Sequence, residues 1–563
     1  MSGCFRNGQA VLLTAIEGSS EDAIAPCNAR VLKSRGHALE VQLDGVGPEG
    51  VAIQHIRWTV EARPDERSFE SMAHALSHWI NVDDKSLLNQ REAGLGFAEP
   101  EPEEGFDAAC EAHEMNDQQV EATKLLSSGS SVGLLHGPPG TGKTRTLVHG
   151  IHCLVKNGKR ILASAPSNMA VDVLVERLAK CGLNVVRVGH PAKVQDHVLE
   201  RTLDAQVEQH DGYGRVTGYR RQADEWQRQA DRHVRNFGPA EREARKEARR
   251  EARALRKEAD ELETFLAEEI LRKADVVCAT LVGCDDKRLR ALNFDVAVVD
   301  EAGQALAPAT LIPMRRSPRL FLCGDPCQLP PTVKTREAAA LNQSLMEFLL
   351  EQGKTPVVML EEQYRMHQAI MRSGSERFYQ GKLVAHHSVG ERSLEGLRPW
   401  VWVDTAGCGF EEKRSEEGGS VANVEEARFV VARASEWLVE HPNMSLGVVA
   451  PYAAQVEALQ NEWSGIVAGN RDLEGADITI HTVDGFQGQE RDGMIVSLTR
   501  CNERGEIGFL SDSRRIHVAQ TRARMACMLV GDSVTLGQDD YLGWLIEWAQ
   551  GSDCYDSAWS WMT

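Results

Sequence analysis

No uninterrupted apolar run in the 563-residue chain approaches the ~18 residues that a membrane-crossing helix needs, so no such helix is expected. The opening residues, MSGCFRNGQAVLL, do not place a basic head before an apolar stretch, as a secretory signal requires. Thirteen cysteines are scattered without one CxxC pair. Cys323 and Cys327 come nearest, but no second pair and no histidines stand at ligand spacing from them. A zinc module is therefore not expected, whereas a reduced intracellular setting, cytoplasmic or nuclear, is. Positive charge is in deficit too: 63 Lys and Arg against 83 Asp and Glu give a net charge of −20. Net charge bears on solubility and non-specific association, not on what a lined groove can hold. A polyanionic partner would have to meet a local basic groove on an acidic body.

Apolar residues make up 42% and charged residues 26%, the balance of a folded globular chain. One core cannot serve this length, and roughly three or four domains are expected. Residues 1–100 read as short alternating segments, such as 38–43 and 51–60, broken by Gly and Pro clusters. That pattern is a small β-rich accessory domain. Helical spacing follows over 68–79, with Phe69, Met72, Leu76 and Trp79 as its apolar positions. An acidic Pro-Glu stretch at 98–105 reads as a linker.

From Val132 the pattern changes to compact apolar runs closed by turn residues: VGLLHG, RILASAP, NVVRVG, DVVCAT, FDVAVVDEA and RLFLCGD. Such runs are strands of a parallel sheet covered on both faces. A second series, PVVMLE, WVWVDTAG, LGVVAPY, MIVSLTR and ACMLVGD, makes two successive α/β sheets. The expected bounds are 101–200 with 273–350 for the first sheet domain and 351–563 for the second. Residues 201–272 are charged and helical. Over 241–263 Glu, Ala, Arg and Lys alternate, with Glu241/Arg245 and Glu247/Arg250 at helical spacing, as on a solvated helix.

GPPGTGKT, residues 137–144, follows the run ending at His136 and opens a helix near Arg145. Glycines let backbone N–H groups approach phosphate oxygens, and a helix N-terminus adds its positive end. Gly137, Pro138, Pro139, Gly140, Thr141, Gly142, Lys143, Thr144 and Arg145 are thus the expected triphosphate-binding segment. Lys143 would pair with the β- and γ-phosphates and Thr144 would offer its hydroxyl to Mg²⁺. The run VAVVDEAGQ puts Asp300 where a Mg²⁺ ligand belongs and Glu301 where a base can orient the attacking water. ATP and Mg²⁺ are therefore the expected cofactors. Two arginines are candidates for a transition-state finger: Arg365 in EEQYRMH and Arg522 in VAQTRAR. Both fall in the second series, so they reach the γ-phosphate only when the two units close on each other. A finger is worth ~10³–10⁵ in rate, or about 4–7 kcal/mol.

In set and order these motifs resemble those of superfamily 1 helicases. Gln119 in MNDQQVEA is similar to the adenine-reading Q motif, and APSNMAVDVL (165–174) to motif Ia, which touches the nucleic-acid backbone. CGDPCQLPPT (323–332) resembles motif III, with Gln328 sensing the γ-phosphate. LEEQYRMH (360–367) resembles motif IV, with Tyr364 stacking on adenine, and TVDGFQGQERD (482–492) motif V, with Glu490 on the ribose. SRRIHVAQTRAR (513–524) resembles motif VI. APSNMAVD, RVGHPA, QYRMHQAIM and VDTAGCG together resemble the up-frameshift group, and within it the immunoglobulin-mu-binding helicase type. The resemblance covers essentially the whole chain. It implies two RecA-like parallel-sheet domains, an inserted-type N-terminal β-barrel with a flanking helix, and a helical insertion in the first RecA-like domain. Two residues depart from the group: His517 stands where Asn is usual, and Gln520 replaces an aliphatic residue.

The resemblance further implies 5′-to-3′ translocation on single-stranded RNA or DNA by a motor acting as a monomer. Such a motor ignores sequence and holds the phosphodiester backbone. The expected contacts are Pro166, Ser167 and Asn168, Thr280 in VVCAT, Pro451 and Tyr452 in VVAPY, and Thr482. None of the eleven tryptophans is marked as a stacking platform. A reading of another class stays open, an ATP-gated clamp or remodeller, because strand separation needs a wedge as well as an ATPase. A GTPase is disfavoured by the lack of an NKxD motif.

Overall fold

The computed structural model describes residues 9–15, 27–35, 38–43, 58–62, 66–83, 85–100, 115–232, 238–333, 335–414, 419–486 and 488–562. At the N-terminal end β1 (Ala10–Ala15), β2 (Cys27–Arg35), β3 (Ala38–Leu43) and β4 (Trp58–Ala62) form an antiparallel sheet of order β3-β2-β1-β4. Side chains alternate between faces along a strand, and one face buries Val11, Leu13, Ala29 and Val31. The segment expected at 38–43 is β3; of the one expected at 51–60, residues 51–57 lie outside the described residues. Among the described residues β3 and β4 are the two edges of the sheet and do not pair with each other. Of the expected linker, 101–105 lie outside the described residues.

α1 (Glu66–Ile80) is the helix expected over 68–79. It buries Met72, Ala75 and Trp79, whereas Phe69 and Leu76 point outward, 63% and 38% exposed. Seven of its fifteen residues are apolar and spread over nearly half its circumference, so spacing alone could not choose which of them turn inward. The choice falls to Trp79, whose indole N–H donates to Leu311 O at 3.2 Å. Next, α2 (Lys85–Gly94) is tied to the same unit by Gln90, whose amide donates to Ser317 O at 2.6 Å.

Seven parallel strands make the first large sheet: β5 (Val132–His136), β6 (Ile161–Ala165), β7 (Val185–Val188), β8 (Val276–Thr280), β9 (Val296–Val299), β10 (Leu320–Gly324) and β11 (Val357–Met359). Their order is β11-β5-β10-β9-β6-β8-β7. Both faces are covered, so neighbouring residues such as Leu134 and Leu135, or Val276 and Val277, enter opposite cores. α3 (Asp117–Ser127), α4 (Lys143–Lys156) and α5 (Asn168–Lys180) supply one of these cores. The sheet also corrects the boundary expected at 351. β11, in PVVMLE, pairs with β5 through Val357 and Leu134, so the first sheet runs one strand further. A short apolar strand fits either sheet, and only its pairing partner decides.

Between β7 and β8 come α6 (Leu203–Gln209), α7 (Tyr213–Asp231) and α8 (Pro239–Lys273). α7 and α8 bury a seam of small residues, Ala223, Ala230, Ala248, Ala252 and Ala259, which lets their backbones lie close. Ion pairs cross the hairpin from Arg220 to Glu263, Arg249 to Asp231 and Arg256 to Asp224.

Beyond β11 two short pairs, β12 (Glu362–Gln363) with β13 (Val384–Ala385) and β15 (Lys413–Arg414) with β16 (Val421–Ala422), flank the second large sheet. That sheet holds β14 (Trp400–Asp404), β17 (Leu446–Ala450), β18 (Ile478–Thr482), β19 (Arg491–Ser497), β20 (Ala523–Gly531) and β21 (Tyr555–Ser557). It too is parallel, ordered β18-β17-β19-β20-β14-β21.

Candidate active site and nucleic-acid interface

Parallel strands deliver their following loops to one edge, and pairing decides which loops meet. β10 lies between β5 and β9, and His136 of β5 is level with Gly324 of β10. The Gly137 N–H donates to Gly324 O at 3.0 Å. The loops after β5, β9 and β10, which hold Lys143, Asp300 and Gln328, are therefore neighbours.

The first of these loops turns through Gly140 and Gly142 at φ +78° and +82°, and α4 begins directly after it. Little but glycine fits: a Cβ at Gly137 would meet Lys143 Cγ at 2.0 Å, and one at Gly140 would meet Arg365 Cβ at 2.7 Å. The Lys143 ammonium donates to Gly137 O at 2.6 Å, and the Thr144 hydroxyl donates to Asp300 Oδ2 at 3.1 Å. Burial and the neighbouring Glu301 carboxylate hold the Asp300 carboxyl above its usual range. Glu301 has φ +54°, a left-handed conformation that costs a non-glycine residue about 1–2 kcal/mol. A buried carboxylate beside a hydroxyl and a second carboxylate is an all-oxygen donor set, which suits a hard divalent cation.

The second unit meets this edge with the N-terminal ends of β19 and β20, where Glu490 and Arg522 immediately precede the strands. Arg522 donates to Gln328 Oε1 at 3.1 Å, and the Gln328 amide donates to Asp325 Oδ2 at 2.8 Å. Arg365 donates to Thr521 O at 3.0 Å and forms an ion pair with Glu490. Burial pushes the Glu490 carboxyl up, but Arg365 and Arg524 outweigh it and hold the group below its usual range. Arg522 is buried, and burial with the nearby Arg365 charge pushes it down to about 10. Both arginines keep a buried Nε–H without a hydrogen-bond partner. An anion between the units would satisfy them. The units are in contact here as well, since the Tyr364 N–H donates to Gly140 O at 2.9 Å.

Gln119 lies against the same loop. It closes a capping box with Asn116 at the start of α3, and its amide donates to Thr141 O at 3.0 Å. The Tyr364 hydroxyl donates to Glu362 at 2.6 Å and accepts from the Asn116 amide at 3.0 Å. The Tyr364 ring is 37% exposed beside His386, and Arg145 lies close enough to act on its hydroxyl. Asn116 and Glu362 were not singled out in the sequence. The first has the signature of an N-cap residue; the second had none.

Asp325, Tyr379 and His517 are also site neighbours that spacing did not bring together. The Tyr379 hydroxyl donates to Asp325 Oδ2 at 2.8 Å and lies 2.9 Å from His517 Nε2. Burial pushes His517 down to about 4, so it is neutral, and its Nδ1 has no partner. The ring fits because residue 374 is glycine, where a Cβ would lie 2.7 Å from its Cε1. Gln520 accepts from the Trp400 indole at 3.3 Å and lies 3.5 Å from the Ser373 hydroxyl. His136, Asp325 and Cys327 gather donor atoms within 4.8 Å of one another. However, the Asp325 oxygens already accept from His136, Gln328, Tyr379 and the Cys327 N–H.

The expected strand contacts sit at strand ends. Ser167 caps α5, accepting from the Ala170 N–H at 3.1 Å, and Pro166 and Asn168 flank it. Asn168 is held by Arg187, which is buried and ion-paired with Asp172 at 3.0 Å. Thr280 ends β8 and accepts from the Gly283 N–H at 3.1 Å. Pro451 follows β17 and Thr482 ends β18, and both line one depression. The two units approach each other here too, since a side chain at Gly488 would come within 3.7 Å of the Met169 methyl. Tyr452, in contrast, is buried, at 5% exposure.

Two family models, each described as an AAA domain, match residues 114–336 and 341–534. The DNA-binding protein SMUBP-2 of Rattus norvegicus is 39% identical over 453 residues, 77% of this chain and 44% of that protein. The chain thus spans less than half the length of that relative. An uncharacterized ATP-dependent helicase of Methanocaldococcus jannaschii is 31% identical over 572 residues, 93% of this chain and 83% of that one. The DNA polymerase alpha-associated DNA helicase A of Saccharomyces cerevisiae is 33% identical, covering 77% of this chain and 68% of its own. With these relatives, the chain belongs to the up-frameshift group of superfamily 1 helicases.

Proposed function

We propose that the chain is an ATP-dependent nucleic-acid helicase or translocase that hydrolyses ATP between two RecA-like domains. The observation that carries this reading is the bond from Arg522 of the second unit to Gln328 of the first. A charge-stabilising arginine that reaches the site only across the interface makes hydrolysis depend on closure, and closure on the nucleotide.

In this reading the loop 137–145 holds the phosphates and Lys143 neutralises their outer charge. Thr144 and Asp300 would hold Mg²⁺, which supplies charge neutralisation between the β- and γ-phosphates. Glu301 orients the attacking water, Gln328 reports the γ-phosphate, and Arg522 with Arg365 stabilises the developing charge. Gln119 and Tyr364 receive the adenine and Glu490 the ribose. Residues 1–100 serve as an accessory barrel with its flanking helix, and 201–272 as a helical insertion. Single-stranded RNA or DNA crosses Pro166, Ser167, Asn168 and Thr280 to Pro451 and Thr482, with Tyr452 acting from beneath. Movement is 5′ to 3′, by a monomer in an intracellular setting. Relatives named as a DNA-binding protein and as DNA helicases support a nucleic-acid track.

Steady-state ATP hydrolysis, alone and with single-stranded RNA or DNA at fixed salt, tests the reading. Strong stimulation by either polymer supports it. Hydrolysis that ignores both polymers would put the ATP-gated clamp in its place.

A further inference from the structure

We infer that Phe509 is a nucleobase-stacking platform on the strand path, aimed by the buried Tyr452 and flanked by Arg515; this rests on the path proposed above. Phe509 is 58% exposed, yet its backbone is held firmly. The Tyr452 hydroxyl donates to Ile507 O at 3.2 Å and accepts from the Phe509 N–H at 3.3 Å. Between them Gly508 has φ +58°, and a Cβ there would lie 2.4 Å from the Tyr452 oxygen. The loop therefore cannot slide over the tyrosine. Arg500 donates to the same hydroxyl at 3.2 Å. Tyr452, expected to touch nucleic acid, instead presents the residue that can.

The surroundings of the ring fit a base better than another occupant. The Arg515 guanidinium lies 5.7 Å from the ring centroid, donates to Phe509 O at 3.0 Å and pairs with Asp484 at 3.5 Å. Phe509 and Arg515 share with Pro451 and Thr482 the rim of one depression. At about 60 Å³ that depression is too small to admit a base, so a base would lie on the ring face. An apolar ring held rigid in water gains when something flat covers it. An exposed aromatic ring with a guanidinium over it, at the end of a strand path, is the arrangement by which single strands are held without regard to sequence.

The test is binding of labelled oligothymidylate and oligouridylate to the full chain at fixed salt, by fluorescence anisotropy. Phe509→Ala should weaken binding roughly five- to hundredfold, while Phe509→Trp retains it. The slope of log affinity against log salt should not change in Phe509→Ala, because no phosphate-neutralising cation is lost. An oligonucleotide of abasic sites supplies the control: the unmodified chain and Phe509→Ala should bind it equally. Equal binding of both proteins to the intact oligomers would overturn the platform while leaving the strand path standing. An equal loss on the abasic strand would also overturn it, because the ring would then be acting on something other than a base. Failure of the unmodified chain to bind any single strand, with or without nucleotide, would overturn the path and the platform together.

Discussion

Tyr379 and Asp325 join the two sheets through a single hydroxyl. The tyrosine, at the end of the helix Gln368–Phe378, donates at 2.8 Å to the aspartate that follows β10. On the tyrosine's other side stands His517, on the helix Ser513–Gln520 that leads into Arg522. A neutral imidazole carries one N–H. With Nδ1 unpaired, that proton belongs on Nε2, where it donates to the tyrosine oxygen.

Because the histidine acts as a neutral donor, an amide can replace it. His517→Asn should keep ATP turnover within a fewfold, whereas His517→Leu should cost about 1–3 kcal/mol of stability for the lost buried hydrogen bond. Thermal melts and steady-state turnover on the two variants check this. Loss in both would show that ring volume, not the N–H, is what the site uses.

The space for the ring comes from Gly374. In most helices Gly→Ala stabilises by up to about 1 kcal/mol, but here the new methyl would press on the imidazole at 2.7 Å. Gly374→Ala is expected to destabilise, and Gly374→Ala with His517→Asn to recover most of the loss. A double-mutant cycle on melting measures the coupling, and simple additivity would rule out the contact.

Acid should reach this pair early. His517 in the folded chain protonates at about 4, against an ordinary 6.5, with burial as the main cause. The unfolded chain thus takes up the proton first, so the stability that the neutral ring contributes is present above 6.5 and is lost as pH falls toward 4. At 1.36 kcal/mol per pH unit, the loss across that window is at most about 3 kcal/mol. His517→Asn should flatten the decline of melting temperature between pH 6.5 and 4, and a parallel decline in both proteins would contradict the assignment.

At the triphosphate end, Lys143→Ala should abolish ATP turnover with an unchanged fold by circular dichroism. Arg522→Ala should slow hydrolysis by at least about a hundredfold, the low side of a finger's worth, with nucleotide affinity little altered. If Arg522→Ala turns over like the parent chain, its bond to Gln328 is a structural tie and Arg365 becomes the finger.

Single-strand binding should weaken steeply with salt, because backbone contacts release counterions. A flat response in anisotropy titrations would count against a strand held by its phosphates.

The loop 137–144 and the carboxylates at 300 and 301 were legible in the sequence because their chemistry is local. Glycines, a lysine and a following helix make a phosphate cradle wherever the chain goes, and two parallel sheets show in the apolar runs themselves. What the chain could not declare locally was pairing. Strand β11 joined the first sheet, α1 turned Leu76 outward to seat Trp79, and Tyr452 went inward while Phe509 came out. The contact of Tyr379 with Asp325 and His517 spans separations of 54 and 138 residues, which no periodicity records. Residue type thus determined which chemistry the chain can perform, because donors, acceptors and φ preferences belong to each residue alone. Which of those groups meet, and which are left facing water, only the tertiary structure decided, because strand pairing and helix orientation depend on partners distant in the chain.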